Sequence, residues 1–322
     1  MTDLPSATTD APGSDADERL TAGQRLSLGL YTSMERVAMR WPERPARALF
    51  RAYGALGYRL MPKVRATVAR NYAQVLGLPP SSDLVQGAVR EGFDLYARYW
   101  YETFAIRGWS REEMDRRFLA DGGENIDKAI ADGKGCIVAL PHMGNWDAAG
   151  KWVAGHWKIV AAAEELRPRR MFELFLQHRR DLGMEIVPVT DDRSAGMQLV
   201  QMLADNYVVA LVADRDLGGR GVECEMFGRI RRLPPGPALL SLTTGAPLLS
   251  CPTYTTDDGW VTRVSTPLEI ERTGNMREDV TALTRLLAAD WERAIAAKPT
   301  DWHMFQPAWD FREPPVAHDA GP

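Results

Sequence analysis

A histidine and an aspartate five residues apart follow an apolar run in the segment IVALPHMGNWDAAGKW, residues 137–152. His142 comes just after a predicted buried strand, and Asp147 falls early in the helix predicted next. At the carboxyl end of a strand in an α/β sheet, the N–H groups of the next helix point outward and ligands bind. An imidazole placed there can accept a substrate proton, while a carboxylate holds its second nitrogen and fixes the tautomer. We therefore predict His142 as a general base and Asp147 as its partner.

Such a base suits acyl transfer to an alcohol. A hydroxyl is a poor nucleophile until its proton is removed, and imidazole titrates near neutral pH. A thioester donor is already activated, and the chain contains no G-x-S-x-G nucleophile elbow. The spacing alone is equally compatible with structural roles for both residues. The wider string HMGNWD is more specific, because Gly144 permits close backbone approach and Asn145 can bind a backbone or ligand oxygen.

A second polar group follows the apolar run YVVALVA. Asp214, Arg215 and Asp216 emerge at the end of this predicted strand. Alone they could form a solvated salt-bridge cluster. Beside a histidine placed by the same topology, we expect Asp214 to assist the acceptor hydroxyl or to order Arg215.

Other polar features have an ordinary interpretation beside the functional one. The segment RRLPPGPALL (231–240) is either a helix start with free backbone donors or a rigid loop. His303 either packs or contacts substrate. No H-E-x-x-H motif occurs and the remaining histidines lack ligand spacing, so we expect no metal site.

The apolar pattern predicts the elements that must position these groups. Residues 1–22 and 313–322 are predicted tails, the first of them disordered, around a single domain, 23–312. Helical spacing dominates a layer over 23–107, and an α/β body follows over 115–312. The fold class is α/β, with a mostly parallel central sheet covered by helices on both faces. The predicted strands are 135–140, 157–163, 184–190, 207–213, 222–227, 247–254 and 261–270, and a late amphipathic helix covers 280–297.

Composition narrows the class of protein. The net charge is −4 and the pI is about 5.8, which argues against a nucleic-acid partner. Three separated cysteines, Cys136, Cys224 and Cys251, predict reduced core residues. The chain shows neither a secretory signal nor an apolar run long enough to span a bilayer, so we expect a cytoplasmic protein.

Basic residues concentrate between Arg36 and Arg70, a segment that contains nine lysines and arginines and one acidic residue, Glu43. Apolar side chains, including Trp41 and Leu60, are interleaved with them. This pattern predicts either a helical surface that docks on anionic lipid headgroups or a solvated helix face. With docking, the protein would be peripheral on the cytoplasmic face of the plasma membrane.

The string PHMGNWD resembles the H-x-G-N-W-[DE] block of the bacterial lysophospholipid and lipid A late acyltransferases, most of all the phosphatidylinositol mannoside acyltransferases of actinobacteria. The resemblance covers roughly residues 25–310 and combines several blocks. The similar segments are ARYWYETF (97–104), ALPHMGNWD (139–147), AEELRP (163–168), ADRDL (213–217), MFGRIRRLPPGPALL (226–240), TTGAPL (243–248) and DWHMFQPAW (301–309).

This resemblance implies a glycerolipid-acyltransferase-like fold, acyl-CoA as the donor substrate, no cofactor, and a glycolipid acceptor. It implies His142 as the base with Asp147, and a Glu usually stands where this chain has Asp214. The other implied substrate-binding residues are Glu164, Arg179, Arg215, Asp216, Arg220, Thr243, His303 and Asn145. Of these, Arg179, Arg220 and Thr243 match positions near the acyl-CoA.

The sequence thus predicts an acyl-CoA-dependent O-acyltransferase that acylates a sugar hydroxyl of a phosphatidylinositol mannoside. Two alternatives remain open. The same pair could activate water in an acyl-CoA thioesterase or lipid hydrolase. His142 could also merely pack in a noncatalytic lipid-binding module.

Overall fold

The computed structural model describes residues 21–164, 169–189, 194–216 and 218–312. The predicted tails lie outside these ranges, except that Thr21 caps and Ala22 begins the first helix. In chain order the helices are α1 (Ala22–Arg40), α2 (Glu43–Leu60), α3 (Pro62–Leu76), α4 (Asp83–Ala105), α5 (Arg111–Arg117), α6 (Glu124–Ala131), α7 (Trp146–Ala154), α8 (Arg169–Asp181), α9 (Ser194–Ala204), α10 (Gly236–Thr244) and α11 (Met276–Ala297). The strands are β1 (Phe118–Asp121), β2 (Cys136–Leu140), β3 (Ile159–Glu164), β4 (Glu185–Val189), β5 (Val208–Val212), β6 (Val222–Met226), β7 (Arg229–Leu233), β8 (Leu248–Ser250), β9 (Thr253–Thr255) and β10 (Trp260–Arg263).

A five-stranded parallel sheet forms the centre, in the order β4-β3-β5-β2-β8. Strand β2 is buried along its whole length, which explains its unbroken apolar sequence. Its neighbour is β5, although β3 follows it in the chain, and Leu140 pairs with Val212 at the end of their register. The carboxyl ends of β2 and β5 therefore lie side by side.

Helices cover both faces of this sheet. On one face, Val138 and Ile159 pack with the side chains of α6 and α7. On the other face, Ile137 and Val209 pack with α9, α10 and α11. The predicted α/β class with a helix-covered parallel sheet is confirmed, as is the helical layer at the N-terminus, which α1 to α4 form.

Three short strands form a second sheet, in the order β1-β10-β9, and β6 and β7 form an antiparallel hairpin. The predicted strand over 247–254 is two strands, β8 and β9, and the one over 261–270 ends at Arg263. Pro252 separates β8 from β9, since proline cannot donate to the ladder. The sequence prediction missed β7, because RIRRL carries three arginines and lacks an apolar run.

The three cysteines are free and buried. Among the helices of the described ranges, none has both the length and the apolar character needed to cross a membrane.

Candidate active site

His142 and Asp214 meet at the adjacent ends of β2 and β5. Each lies two residues beyond the final pair of the register, Leu140 and Val212. The Nδ1–H of His142 donates a hydrogen bond to Oδ1 of Asp214. The His142 side chain is 17% exposed and the Asp214 side chain is 1% exposed. This bond fixes the tautomer that leaves Nε2 free to accept a proton.

The surroundings of Asp214 keep its carboxylate ionised. Its Oδ2 accepts a hydrogen bond of 2.9 Å from Nε1 of Trp302, and the guanidinium of Arg231 donates to its backbone carbonyl. Burial opposes ionisation, but the charges of His142 and Arg231, with the hydrogen bonds from His142 and Trp302, outweigh it and hold the pKa of Asp214 well below its usual range. Asp214 can therefore stabilise a protonated His142.

Asp147 does not fill the role predicted for it. Its Oδ2 accepts a hydrogen bond of 2.8 Å from the Tyr99 hydroxyl, and its Oδ1 accepts one of 3.0 Å from Nε of Arg179. Because Asp147 lies in the first turn of α7, its side chain reaches α4 and α8, while Asp214 occupies Nδ1 of His142. The expected partner of the base is thus replaced by a residue 72 positions away in the chain.

The carboxylate of Asp147 is nonetheless charged. Burial raises its pKa, but the charges of Arg179 and His178 and the hydrogen bonds from Arg179 and Tyr99 lower it below the ordinary value overall. Asp147 and Arg179 form a partly buried ion pair, which connects α7 to α8.

The loop between β2 and α7 packs against Thr253 and is hydrogen-bonded to Asp301 and His303. Gly144 has φ +60°, and a Cβ there would lie 2.4 Å from the carbonyl oxygen of Thr253. Its N–H donates to Asp301 O at 2.9 Å, and its carbonyl accepts from Nε2 of His303 at 3.1 Å. The backbone N–H of His303 donates to His142 O at 2.8 Å. These contacts fix the backbone that carries His142.

A cavity of about 360 Å³ begins at His142 and runs along the α7 face of the central sheet. Its floor contains small side chains, since Ala161 and Ala210 are register partners on β3 and β5. Phe118 and Val264 line it where it reaches the second sheet. A mostly apolar cavity beside His142 can hold an acyl chain, because burial of methylenes is favourable.

Known proteins with similar sequences identify the family. The family model described as bacterial lipid A biosynthesis acyltransferase matches residues 18–310. A protein of Mycolicibacterium smegmatis named phosphatidylinositol mannoside acyltransferase is 36% identical over 289 residues, which cover 89% of this chain and 92% of that protein. A protein of the same name from Mycobacterium tuberculosis (strain CDC 1551 / Oshkosh) is 37% identical over 244 residues, 74% of this chain and 75% of that protein.

This chain belongs to the bacterial lipid A biosynthesis acyltransferase family. The fold and the family resemblance expected from the sequence are therefore both confirmed, and the protein is an acyltransferase.

Other predicted site residues of this acyltransferase line the cavity. Glu164 lies at the end of β3, Arg179 on α8, and Arg215 directly after Asp214. Nη2 of Arg215 donates to His303 O at 3.3 Å. The three side chains bring one negative and two positive charges to the edge of the cavity that holds His142.

The remaining predicted residues lie elsewhere. Asp216 accepts a hydrogen bond of 2.7 Å from Gly221 N and lines a second cavity of about 670 Å³. Arg220 is exposed before β6 and lines neither cavity. Thr243 is exposed on α10, where its hydroxyl donates to Leu239 O at 2.7 Å, and it lines neither cavity.

His303 and Asn145 support the site from behind the cavity. Burial and the charges of His142 and Arg215 outweigh the hydrogen bond to Gly144 and lower the pKa of His303 to about 3, so its ring is neutral. Asn145 is fully buried and caps α7 by accepting from Ala148 N at 3.0 Å. Neither side chain lines the cavity, which differs from the predicted substrate contacts.

Several contributing residues were not predicted from the sequence. Tyr99 and Trp302 donate to the two aspartates, and Arg231 contacts the Asp214 backbone. The family resemblance includes the aromatic string around Tyr99, ARYWYETF, but implies no role for Tyr99. Within the described ranges, no group of three or more potential metal ligands comes together.

Proposed function

We propose that this protein moves a fatty acyl group from acyl-CoA to a mannose hydroxyl of a phosphatidylinositol mannoside, at a membrane surface. We propose this acceptor because both mycobacterial relatives are named for it. Their similarity covers 89% and 74% of this chain. The carrying observation is the hydrogen bond between buried Asp214 and His142, together with the place of His142 in the lining of a mostly apolar cavity. No cofactor is required by the chemistry.

In the proposed reaction, Nε2 of His142 takes the proton of the acceptor hydroxyl as its oxygen attacks the thioester carbonyl. Asp214 stabilises the imidazolium that forms. The C–S bond then breaks, the ester forms, and the CoA thiolate receives the proton from His142. Arg215 lines the same cavity as His142 and is the candidate donor to the oxyanion. Atoms and charge balance without a covalent enzyme intermediate.

The acyl chain would occupy the cavity over Ala161 and Ala210. Aromatic side chains of α4 and α7, Tyr96, Tyr99, Trp100 and Trp146, line the part nearest to the base. They exclude water from the thioester, which favours transfer to the sugar over hydrolysis.

The basic surface of α1 and α2 suits an acceptor that resides in a membrane. Arg36, Arg40 and Arg59 are exposed there, and the exposed apolar side chains nearby include Trp41 and Leu60, 51% and 68% exposed. Helix α1 also packs onto the cavity wall, since Tyr31 contacts Phe175 and Trp100 at ring distances of 5.3 and 6.3 Å. A docked protein would thus hold its cavity close to the lipid.

The test uses purified protein, a series of acyl-CoAs and phosphatidylinositol mannoside, with thiol release and lipid mass measured together. Transfer predicts release of CoA that depends on the acceptor, a product heavier by one acyl group, and loss of both in H142A. Release of CoA and free fatty acid at the same rate without acceptor would instead establish a thioesterase. Acyl-CoA binding without turnover would establish a lipid-binding module.

A further inference from the structure

Arg231 is a buried cation that the proposed reaction does not use directly. It is the middle residue of β7 and is 5% exposed, whereas its neighbours Ile230 and Arg232 point outward. Its guanidinium lies over two neighbouring indole rings, 5.3 Å from the centroid of Trp302 and 5.6 Å from that of Trp309. The β6–β7 hairpin therefore places one buried positive charge next to the backbone of Asp214.

The guanidinium makes few hydrogen bonds for a buried cation. One nitrogen donates to the Asp214 carbonyl, while Nε and Nη1 have no hydrogen-bond partner among the described residues. A buried charge without compensation is costly. Here the compensation comes from the faces of two tryptophans, through cation–π attraction, and from the charge of Asp214. Arg231 also lines the second cavity, of about 670 Å³, and its hydrogen bond to the Asp214 carbonyl connects that cavity wall to the His142–Asp214 pair.

The positive charge of Arg231 stabilises the ionised Asp214 carboxylate, and this contribution matters most when His142 is neutral. Trp302 then supplies only a neutral hydrogen bond, and Arg231 is the group behind the carboxylate with a permanent positive charge. Without it, the buried pair His142–Asp214 would carry an uncompensated anion and would take up a proton at a higher pH. A pair that is already protonated cannot accept the proton of an alcohol.

We propose that Arg231 is a positioning residue that holds Asp214 in place and charged, so that His142 stays free to act as a base at neutral pH. This inference rests on the proposed function of the His142–Asp214 pair. It adds a role for the β6–β7 hairpin, whose Arg231 acts on Asp214 through a hydrogen bond to the Asp214 backbone and through its positive charge. Contact between Arg231 and the substrate is not required.

The other ionisable groups around the pair do not mask the effect. Arg215 is adjacent in the chain and keeps its charge. Burial chiefly lowers the pKa of His303 to about 3, and burial raises the pKa of Cys224 on β6 to about 11. Both are neutral between pH 5 and 9, so a change in the pH profile over that range reports on the pair and on Arg231.

The experiment compares pH profiles of kcat/KM for the wild type, R231M and the control R232M. Removal of a neighbouring charge in a partly buried site is worth on the order of one pH unit. We expect the acid limb of R231M to shift upward by about one unit, with kcat reduced about tenfold or more at pH 7. R232M removes a charge from the outward face of the same strand, where Arg232 pairs with Glu223 at 2.9 Å. Its acid limb should not move.

Two further variants separate positioning from simple support of the fold. R231K keeps the charge and should return the acid limb to the wild-type pH even if the rate stays low. In a D214N background, R231M should cost much less activity than it does in the wild type, because the charge it serves is absent. If R231M does not fold, R231Q, which is neutral but keeps a side-chain N–H donor, takes its place.

An acid limb that stays in place in folded R231M or R231Q, or equal losses with and without Asp214, would overturn this inference and leave the proposed function intact. Wild-type protein that releases CoA and free fatty acid at the same rate with and without acceptor, and forms no acylated lipid, would instead overturn the proposed function itself.

Discussion

The two aspartates near His142 have different partners, and their variants should fail in different ways. D214N removes the charge that stabilises the imidazolium, so we expect kcat to fall about 10²- to 10⁴-fold with little change in KM. D147N removes the negative charge that pairs with Arg179 and one of the two oxygens that accept from Arg179 and Tyr99, and we expect thermal unfolding to occur at a lower temperature, with a loss of about 1–3 kcal/mol. Steady-state kinetics and calorimetry on both variants provide the test. A D147N enzyme with normal stability and a kcat as low as that of D214N would restore Asp147 to the chemistry.

His303 should make stability depend on pH. Burial lowers its pKa from 6.5 to about 3 in the folded protein, so the unfolded chain binds a proton between these values that the folded chain does not. Its contribution to stability is complete above about pH 6.5 and is lost as the pH falls toward 3, at up to about 1.4 kcal/mol per unit. H303Q keeps a donor for the Gly144 carbonyl and removes the titration. Denaturant unfolding from pH 7 to 4.5 should give a shallower slope for H303Q than for the wild type, and identical slopes would contradict a buried neutral ring.

At the scale of the elements, the turn between β2 and α7 tolerates only glycine at position 144. G144A combines left-handed backbone strain with a Cβ 2.4 Å from Thr253 O, so the loop that carries His142 must move. We expect a loss of about 3 kcal/mol or more, well above the roughly 1–2 kcal/mol of the strain alone, together with loss of transfer. The matched control is G133A, where φ is +75° but nothing lies within 4 Å of the added Cβ. Equal unfolding midpoints for the two variants would refute the close-approach argument.

The sheet also sets the depth of the cavity. Ala210 of β5 pairs with Val138 and Ala161 in the cavity floor. A210L should therefore shorten the acyl chain that fits, and each excluded methylene should cost about 0.8 kcal/mol, or about fourfold in kcat/KM. The measurement is kcat/KM for acyl-CoAs of increasing length, with the shortest donors as the internal control. A uniform loss at all lengths would assign the effect to misfolding and remove Ala210 from chain selection.

The whole molecule combines an acidic net charge of −4 with one basic helical surface. We expect cosedimentation with vesicles that contain anionic lipid, strongly reduced at high salt and in a variant with Arg36, Arg40, Arg44 and Arg59 changed to Glu. All four side chains are exposed, so the fold should be kept. The matched control reverses four exposed arginines of other surfaces, Arg116, Arg232, Arg277 and Arg293. Binding that ignores lipid charge, or that the control variant loses equally, would contradict docking by this surface.

The amino-acid sequence by itself determined the parts of this acyltransferase that are encoded locally. Unbroken apolar runs predicted β2 and β5, because a strand buried on both faces needs such a run. Helical periodicity predicted the N-terminal layer and most of α11, and the residues directly after two strands, His142 and Asp214, emerged as candidates.

Only the tertiary structure decided which candidates meet. The order of strands places β5 beside β2 and so gives His142 its partner Asp214, although Asp147 is closer in the chain. Likewise, the pairing of β6 with β7 turns Arg231 inward from a strand that looks polar throughout. The physical reason is that strand neighbours and register depend on the packing of distant segments, whereas local patterns carry no record of which distant segment will lie alongside.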